Sequence, residues 1–291
     1  ISMKTFTRAL AIFLLGSAAT FAQQDSDEMR IQWDEVWNDP VFVQKFLRSY
    51  GALPDSEPTV DKDEVELFRD LIPLFNENPR VAAARLEQEI EPDSSAAMYY
   101  TLATLYFQEQ ELEKAEEYYK VAIKKHDGYQ SAHKNLSIVY LMQGKTVEAR
   151  AHMHEAIALG EKDGRLFGLL GYTYLAEENY LAAEAAYSQA ILLEPENLDW
   201  KLGLAKSLLG LEKYQEAHNL FEVLIAQEPS KPEFWRLQVN TYLAMDQPQQ
   251  AIANLEVLRR MGELRPPSRK LLGDIYMSLE MQDQAIATYQ A

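Results

Sequence analysis

Cysteine is absent from the whole 291-residue sequence. That excludes disulfides, thiolate metal sites, a cysteine nucleophile and a lipid-modified N-terminal cysteine. No apolar run reaches the roughly 18 residues needed to cross a bilayer, so no membrane span is expected. Basic residues are scarce, 28 against 45 acidic, giving a net charge of −17. Phosphate backbones need a basic surface, so a nucleic-acid partner is not expected. Glycine-rich phosphate loops are missing, and so are the G-x-S-x-G and H-E-x-x-H spacings of serine hydrolases and zinc proteases. The histidines are His126, His133, His152, His154 and His218, and His152 and His154 fall on different faces of a helix. They read as solvated helix surface and not as a metal site. The acidic run at 109–117 reads as a solvated face at a helix start, where the helix dipole favours carboxylates. Nothing here draws a catalytic pocket. The expectation is a protein without cofactor, metal or enzymatic activity.

What is present is a pattern, clearest in residues 164–195. Phe167, Leu170, Gly171 and Tyr174 share one helical face, and Ala183, Tyr187, Ala190 and Ile191 share another. Glu177, Glu178 and Asn179 form the polar break between these two helices, and Pro195 cannot continue the second. Both helices are too short to be stable alone, so each must bury its stripe against a neighbour. The neighbours are copies. A step of 34 residues from Tyr174 lands on Tyr140 and Tyr106 in one direction, and on Leu208, Tyr242 and Tyr276 in the other. From Ala183 the same step gives Ala115, Ala149, Ala217, Ala251 and Ala285.

This resembles the tetratricopeptide repeat (TPR) family, whose pattern is W-x2-L-G-x2-Y, then A-x3-F, then P, at a period of about 34 residues. The clearest copy reads Phe167, Leu170, Gly171, Tyr174, Ala183, Tyr187 and Pro195, with an aromatic replacing an aromatic twice. The resemblance covers residues 95–291 and implies an all-α fold, a right-handed α-solenoid of antiparallel helix pairs. Leu102, Leu136, Leu170, Leu204 and Leu272 repeat one core position, which Gln238 breaks. Ala103, Ser137, Gly171, Ala205 and Gly273 repeat a small position, where two helices are expected to approach closely. Val239 is too large for that series, so looser packing is expected in its repeat.

The ends are read differently. Met3 is the expected start, with Lys4 and Arg8 as a positive region, an apolar core over 9–15 and cleavage after Ala22. Residues 1–22 thus read as a secretory signal peptide, and a cysteine-free exported protein suits a bacterial periplasm. Residues 23–61 hold an aromatic helical segment with Trp33, Trp37, Phe42 and Phe46, then a proline-containing linker. The segment is either a cap on the first repeat or an anchor for a partner. Residues 62–94 read as a degenerate helical pair. Residues 95–291 hold six repeats, the last incomplete, so the natural chain is expected to continue past Ala291, since an uncapped solenoid exposes an apolar end.

The resemblance implies that first helices line an inner groove that takes a protein or peptide. The groove candidates are Tyr100, Phe107, Lys134, Leu141, Arg165, Tyr172, Leu175, Lys206, Leu209, Arg236, Asn240, Leu243, Lys270 and Met277. The unbroken apolar row at 107, 141, 175, 209, 243 and 277 is either a peptide stripe or contact between adjacent repeats. Some TPR domains grip a C-terminal carboxylate with lysine, asparagine and arginine. Lys134, Asn135 and Arg165, and again Arg236 and Asn240, match this in part, whereas Tyr100, Thr104 and Leu271 depart from it. The functional expectation is an exported scaffold within an envelope complex. Similar exported TPR proteins serve outer-membrane assembly, pilus assembly, polysaccharide export and TonB-type energy transduction. The alternative is the adaptor region of a longer envelope enzyme.

Overall fold

The structure, a computed structural model, describes residues 58–290. The expected signal peptide and the aromatic segment around Trp33 and Trp37 lie outside the described residues. Among those described, every regular element is a helix. The chain first runs through α1 (Lys62–Glu77), α2 (Pro79–Glu89), α3 (Ala96–Gln108), α4 (Leu112–Lys125), α5 (Gln130–Met142) and α6 (Thr146–Ala158). It continues through α7 (Gly164–Ala176), α8 (Tyr180–Leu193), α9 (Leu198–Gly210) and α10 (Tyr214–Gln227). It closes with α11 (Pro232–Ala244), α12 (Pro248–Arg260), α13 (Pro266–Ser278) and α14 (Gln282–Gln290). Two compact units divide the chain, Ile1–Glu161 and Lys162–Ala291, and the described helices of each follow one another as antiparallel pairs.

Each first helix from α3 onward ends on the same backbone device. Gln110, Gly144, Glu178, Glu212, Asp246 and Glu280 all take left-handed φ, between 58° and 74°. The N–H of Glu178 donates to the Leu175 carbonyl at 3.1 Å, and that of Asn179 to the Tyr174 carbonyl at 2.9 Å. The other turns repeat this pair of bonds. Together they satisfy carbonyls that a helix end leaves orphaned, in the Schellman arrangement. Glycine usually occupies the left-handed position, because it has no Cβ to clash. Here only Gly144 is glycine, so the sequence shows a polar break without revealing its geometry.

Small residues set the packing. Ala115, Ala149, Ala183, Ala217, Ala251 and Ala285 are all fully buried. At Gly171, where the sequence places a close approach of two helices, what lies against the glycine is a ring of the second helix. A Cβ on Gly171 would stand 2.9 Å from the Tyr187 ring, and a Cβ on Gly203 would stand 2.2 Å from the same ring. Tyr187, on α8, is thus seated between a glycine of α7 and a glycine of α9. Trp200 covers Gly168 in the same way, at 2.6 Å from the position of an added Cβ. Val239 does not open its repeat to solvent, being only 2% exposed. Val239 and Leu255 are both buried in one cluster with Leu258 and Leu272. The larger residue at the small position is balanced by a leucine where Tyr187 stands in the earlier repeat.

In the first unit, the pair α1/α2 is tied to the repeats by polar as well as apolar contacts. Asp61 and Glu64 form a capping box at the start of α1, with Glu64 N–H donating to Asp61 Oδ1 at 2.9 Å. The other carboxylate oxygen of Glu64 accepts from the Ser95 N–H at 2.7 Å, at the start of α3. Glu87 on α2 accepts from the hydroxyls of Tyr106 at 2.8 Å and Tyr118 at 2.6 Å. The Tyr118 bond, opposed by partial burial and helped by Tyr106, holds the Glu87 carboxyl below its ordinary range. Beneath these, Phe68, Leu71, Ala82 and Leu86 join Leu102 and Leu105 in one core.

Candidate functional site

The candidates fall in both units, and each unit is described by itself. In the first, Tyr100 is half-buried on α3, its ring 4.9 Å from that of Tyr129 and 5.6 Å from that of Tyr119. Its hydroxyl accepts from Asn135 Nδ2 at 2.9 Å, and the same amide donates to the Tyr119 hydroxyl at 3.2 Å. Tyr119 is fully buried, and its hydroxyl also shares a 2.9 Å bond with Thr104 Oγ1. Burial drives the Tyr119 phenol well above its ordinary pKa, so it remains a neutral donor. Lys134 forms an ion pair with Glu161 at 2.9 Å, with both side chains largely covered. Asn135 and Lys134 therefore already have protein partners. Phe107 and Leu141 pack against the core.

In the second unit, Tyr172, Lys206, Asn240 and Asp274 repeat one position on α7, α9, α11 and α13. Tyr172 is 60% exposed and Asn240 is exposed. Lys206 pairs with Glu233 at 2.8 Å and Arg236 with Glu263 at 3.2 Å. Lys270 pairs with Asp274 at 2.6 Å, and this bond, with that from the Tyr289 hydroxyl, lowers the Asp274 pKa. Arg165 is half-buried beside the Asp163 cap of α7. The Nε of Arg236 is buried without a hydrogen-bond partner among the described residues. Leu209 and Leu243 pack into core clusters, Leu175 is half-buried, and Met277 is 49% exposed. All six residues of the apolar row also lend their carbonyls to the left-handed turns. Most of this row therefore serves contact between helices, while Tyr172, Asn240 and Met277 stay open.

Two polar clusters escaped the sequence reading. His133 is buried, not solvated, and its Nε2 donates to the Asp127 carbonyl at 3.1 Å. Its Nδ1 then accepts from His152 Nδ1 at 2.9 Å. Burial, reinforced by His133, depresses the His152 pKa to about 4. The second cluster is centred on Gln238, the break in the leucine series. Asn254 Nδ2 donates to its carbonyl at 2.7 Å, while its amide faces His218 Nδ1 at 3.3 Å and donates to Glu222. The run at 109–117 also differs from expectation at one residue. Glu116 is bridged by Lys120 and Lys145 at 2.5 and 2.7 Å. Burial alone would raise its pKa, but these bonds and one from Gln143 bring it down to about 2. The glutamine in a leucine row was the sequence signal for the second cluster, whereas His133 and His152, 19 residues apart, carry none.

Profiles described as tetratricopeptide repeat match residues 174–240 and, in overlapping stretches, 74–130 and 100–164. The chain belongs to the tetratricopeptide repeat family. No curated protein matches the sequence. Among solved structures, a TPR protein from Parabacteroides merdae is 19% identical, with a TM-score of 0.54 over 79% of this chain and 92% of its own. YrrB, described as a TPR protein with an unusual peptide-binding site, is 22% identical, with a TM-score of 0.58 over 62% of this chain and 93% of its own. The 41-end form of MamA from Desulfovibrio magneticus is 17% identical, with a TM-score of 0.51 over 55% of this chain and 91% of its own. At these identities the likeness is one of fold. Where one TPR fold carries many functions, the function must be argued from the site.

Proposed function

We propose that this TPR protein is a non-catalytic scaffold that holds an extended segment of a protein partner along its first-helix face. The observation that carries the reading is Tyr172. It places a ring 60% in solvent on a helix whose other large side chains are mostly covered. An exposed aromatic with a polar tip supplies apolar contact and a hydrogen bond at little entropic cost. Asn240, exposed at the same position two repeats later, offers an amide that pairs with peptide backbone. Lys206 and Arg236 are already matched by Glu233 and Glu263. Acidic side chains of the partner would compete with those glutamates, so the cations contribute register more than affinity. The peptide-binding site ascribed to YrrB lends support by analogy only.

A photo-crosslinking residue at position 172 tests this directly. With one purified partner, position 172 should give an adduct, while position 189, exposed on α8, should not. Equal adducts at the two positions would refute the first-helix assignment. Export belongs to the same proposal, resting on the charged, apolar and small-residue pattern of residues 3–22. The scaffold would then work in a bacterial envelope complex. Mass spectrometry of periplasmic protein should find an N-terminus at or near Gln23. An intact Met3 on protein from the cytosol would overturn the location without touching the binding face.

A further inference from the structure

In an acidic chain, one short stretch has the opposite sign. Residues 259–270 hold Arg259, Arg260, Arg265, Arg269 and Lys270 against a single acid, Glu263. Glu263 is engaged by Arg236, and Lys270 by Asp274. Arg269 stands where the repeat period places Trp235, Lys201 and Phe167 in earlier repeats. In α11 the indole of Trp235 is fixed by a 2.8 Å bond to the Pro229 carbonyl. In α13 a slender guanidinium side chain replaces that ring, and a cleft of about 130 Å³ opens, lined by Arg259, Gly262, Leu264, Arg269 and Thr288. Gly262 leaves its wall bare, since a Cβ there would meet nothing within 4 Å. Arg259 is joined to Glu256 at 2.6 Å with over half its side chain still exposed, and Arg269 has no ion pair among the described residues.

We propose that this cleft is a second interaction site, separate from the first-helix face, that receives a carboxylate side chain from an acidic, extended segment of a partner protein. Two guanidinium groups on one cleft offer the forked donors that match a carboxylate. The volume suits one such side chain with a water or two, given about 30 Å³ per water. Leu264 adds an apolar wall for its methylenes. A long polyanion or an anionic membrane would also face the rest of this −17 chain and be repelled. A short acidic segment meets only the basic stretch.

The test uses a fluorescein-labelled peptide of alternating aspartate and serine, added to the full chain at low salt and followed by anisotropy. One-to-one saturable binding is expected. Arg269→Lys keeps the charge and loses the fork, so it should weaken binding by about tenfold or more, as should Arg259→Lys. Arg260→Gln, outside the cleft, should weaken it by less than about threefold. All variants should keep the wild-type melting curve. An equal loss from Arg260→Gln and Arg269→Lys would show diffuse attraction and overturn the site, as would no binding at all. Tighter binding to phosphatidylglycerol vesicles or to a single-stranded DNA oligomer would overturn the choice of partner. Tyr172→Ala with Asn240→Ala should leave the peptide affinity unchanged. A loss there would place the peptide on the first-helix face and refute the separate site, while leaving the scaffold reading intact.

Discussion

Replacing Glu178 and Glu212 by glycine should stabilise this protein, although it removes side chains and adds backbone freedom. Both residues are exposed and both hold φ at 58°. A left-handed conformation costs an L-residue roughly 1–2 kcal/mol, because Cβ crowds the following carbonyl. Glycine avoids that cost but loses about 0.5–1 kcal/mol more chain entropy on folding. The difference leaves about 0.5–1 kcal/mol per site, or roughly 1–2 kcal/mol for the double variant. For an array of this size that corresponds to a rise of about 2–8 °C in melting temperature. Gly144 supplies the reverse experiment. It has φ of 74°, and a Cβ there would touch nothing within 4 Å, so Gly144→Ala isolates the backbone term and should cost about 1 kcal/mol. The assay is urea unfolding followed by far-UV circular dichroism. Charge needs its own control, because removing two acids also relieves repulsion in an acidic chain. Glu178→Gln with Glu212→Gln provides it. If the glycine pair is no more stable than the glutamine pair, or if Gly144→Ala is neutral, the left-handed turns are not strained and the reasoning fails.

Other perturbations have equally definite outcomes. His152, depressed to about 4 from an ordinary value near 6.5, is neutral in the folded chain and charged in the unfolded chain between those values. Its contribution is therefore complete above pH 6.5 and is lost as pH falls toward 4, by roughly 1–2 kcal/mol once solvent screening of a half-buried ring is allowed for; His152→Gln should flatten the fall in urea midpoint over that window. Gly168→Ala puts a Cβ 2.6 Å from the Trp200 ring and should cost about 1–3 kcal/mol through overpacking, with partial recovery on adding Trp200→Leu. Gln238→Leu leaves the buried Asn254 amide without its acceptor, costing about 1–3 kcal/mol, whereas Gln238→Leu with Asn254→Leu should be nearly neutral. Equal instability of the single and double variants would show that the network is not the cause.

The period and the alanine series made the helix pairs legible, because a fixed spacing of small and apolar residues has one structural meaning. The turns were legible in position and not in conformation, since glutamate gives no sign of a left-handed backbone. Contacts that cross between helices were the least visible. Trp200 over Gly168, and His133 with His152, join residues whose spacing matches no local pattern. The candidate residues Tyr172, Lys206 and Asn240 fall on the first helices α7, α9 and α11, at the one repeated position that the period gives them. What periodicity omitted was pairing: Lys134, Lys206 and Arg236 each find an acid 27 residues ahead. Apolar character likewise could not separate Met277, which is open, from Leu209 and Leu243, which are packed.

The seat of Tyr187 between Gly171 and Gly203 bears on how such a chain changes over evolutionary time. In the other repeats the counterpart of Gly203 is Thr101, Asn135, Leu169, Leu237 or Leu271. After Tyr119 that position holds Asn135, whose amide reaches the phenol hydroxyl; after Tyr187 it holds nothing larger than hydrogen. Excising one whole repeat, residues 198–231, would keep the period intact and bring Leu237 against the Tyr187 ring. Regular spacing suggests parts that can be duplicated, deleted or reordered freely. Size matching at the Tyr187 junction ties its neighbours to one another instead, so a rearrangement there has to change both sides of the joint at once.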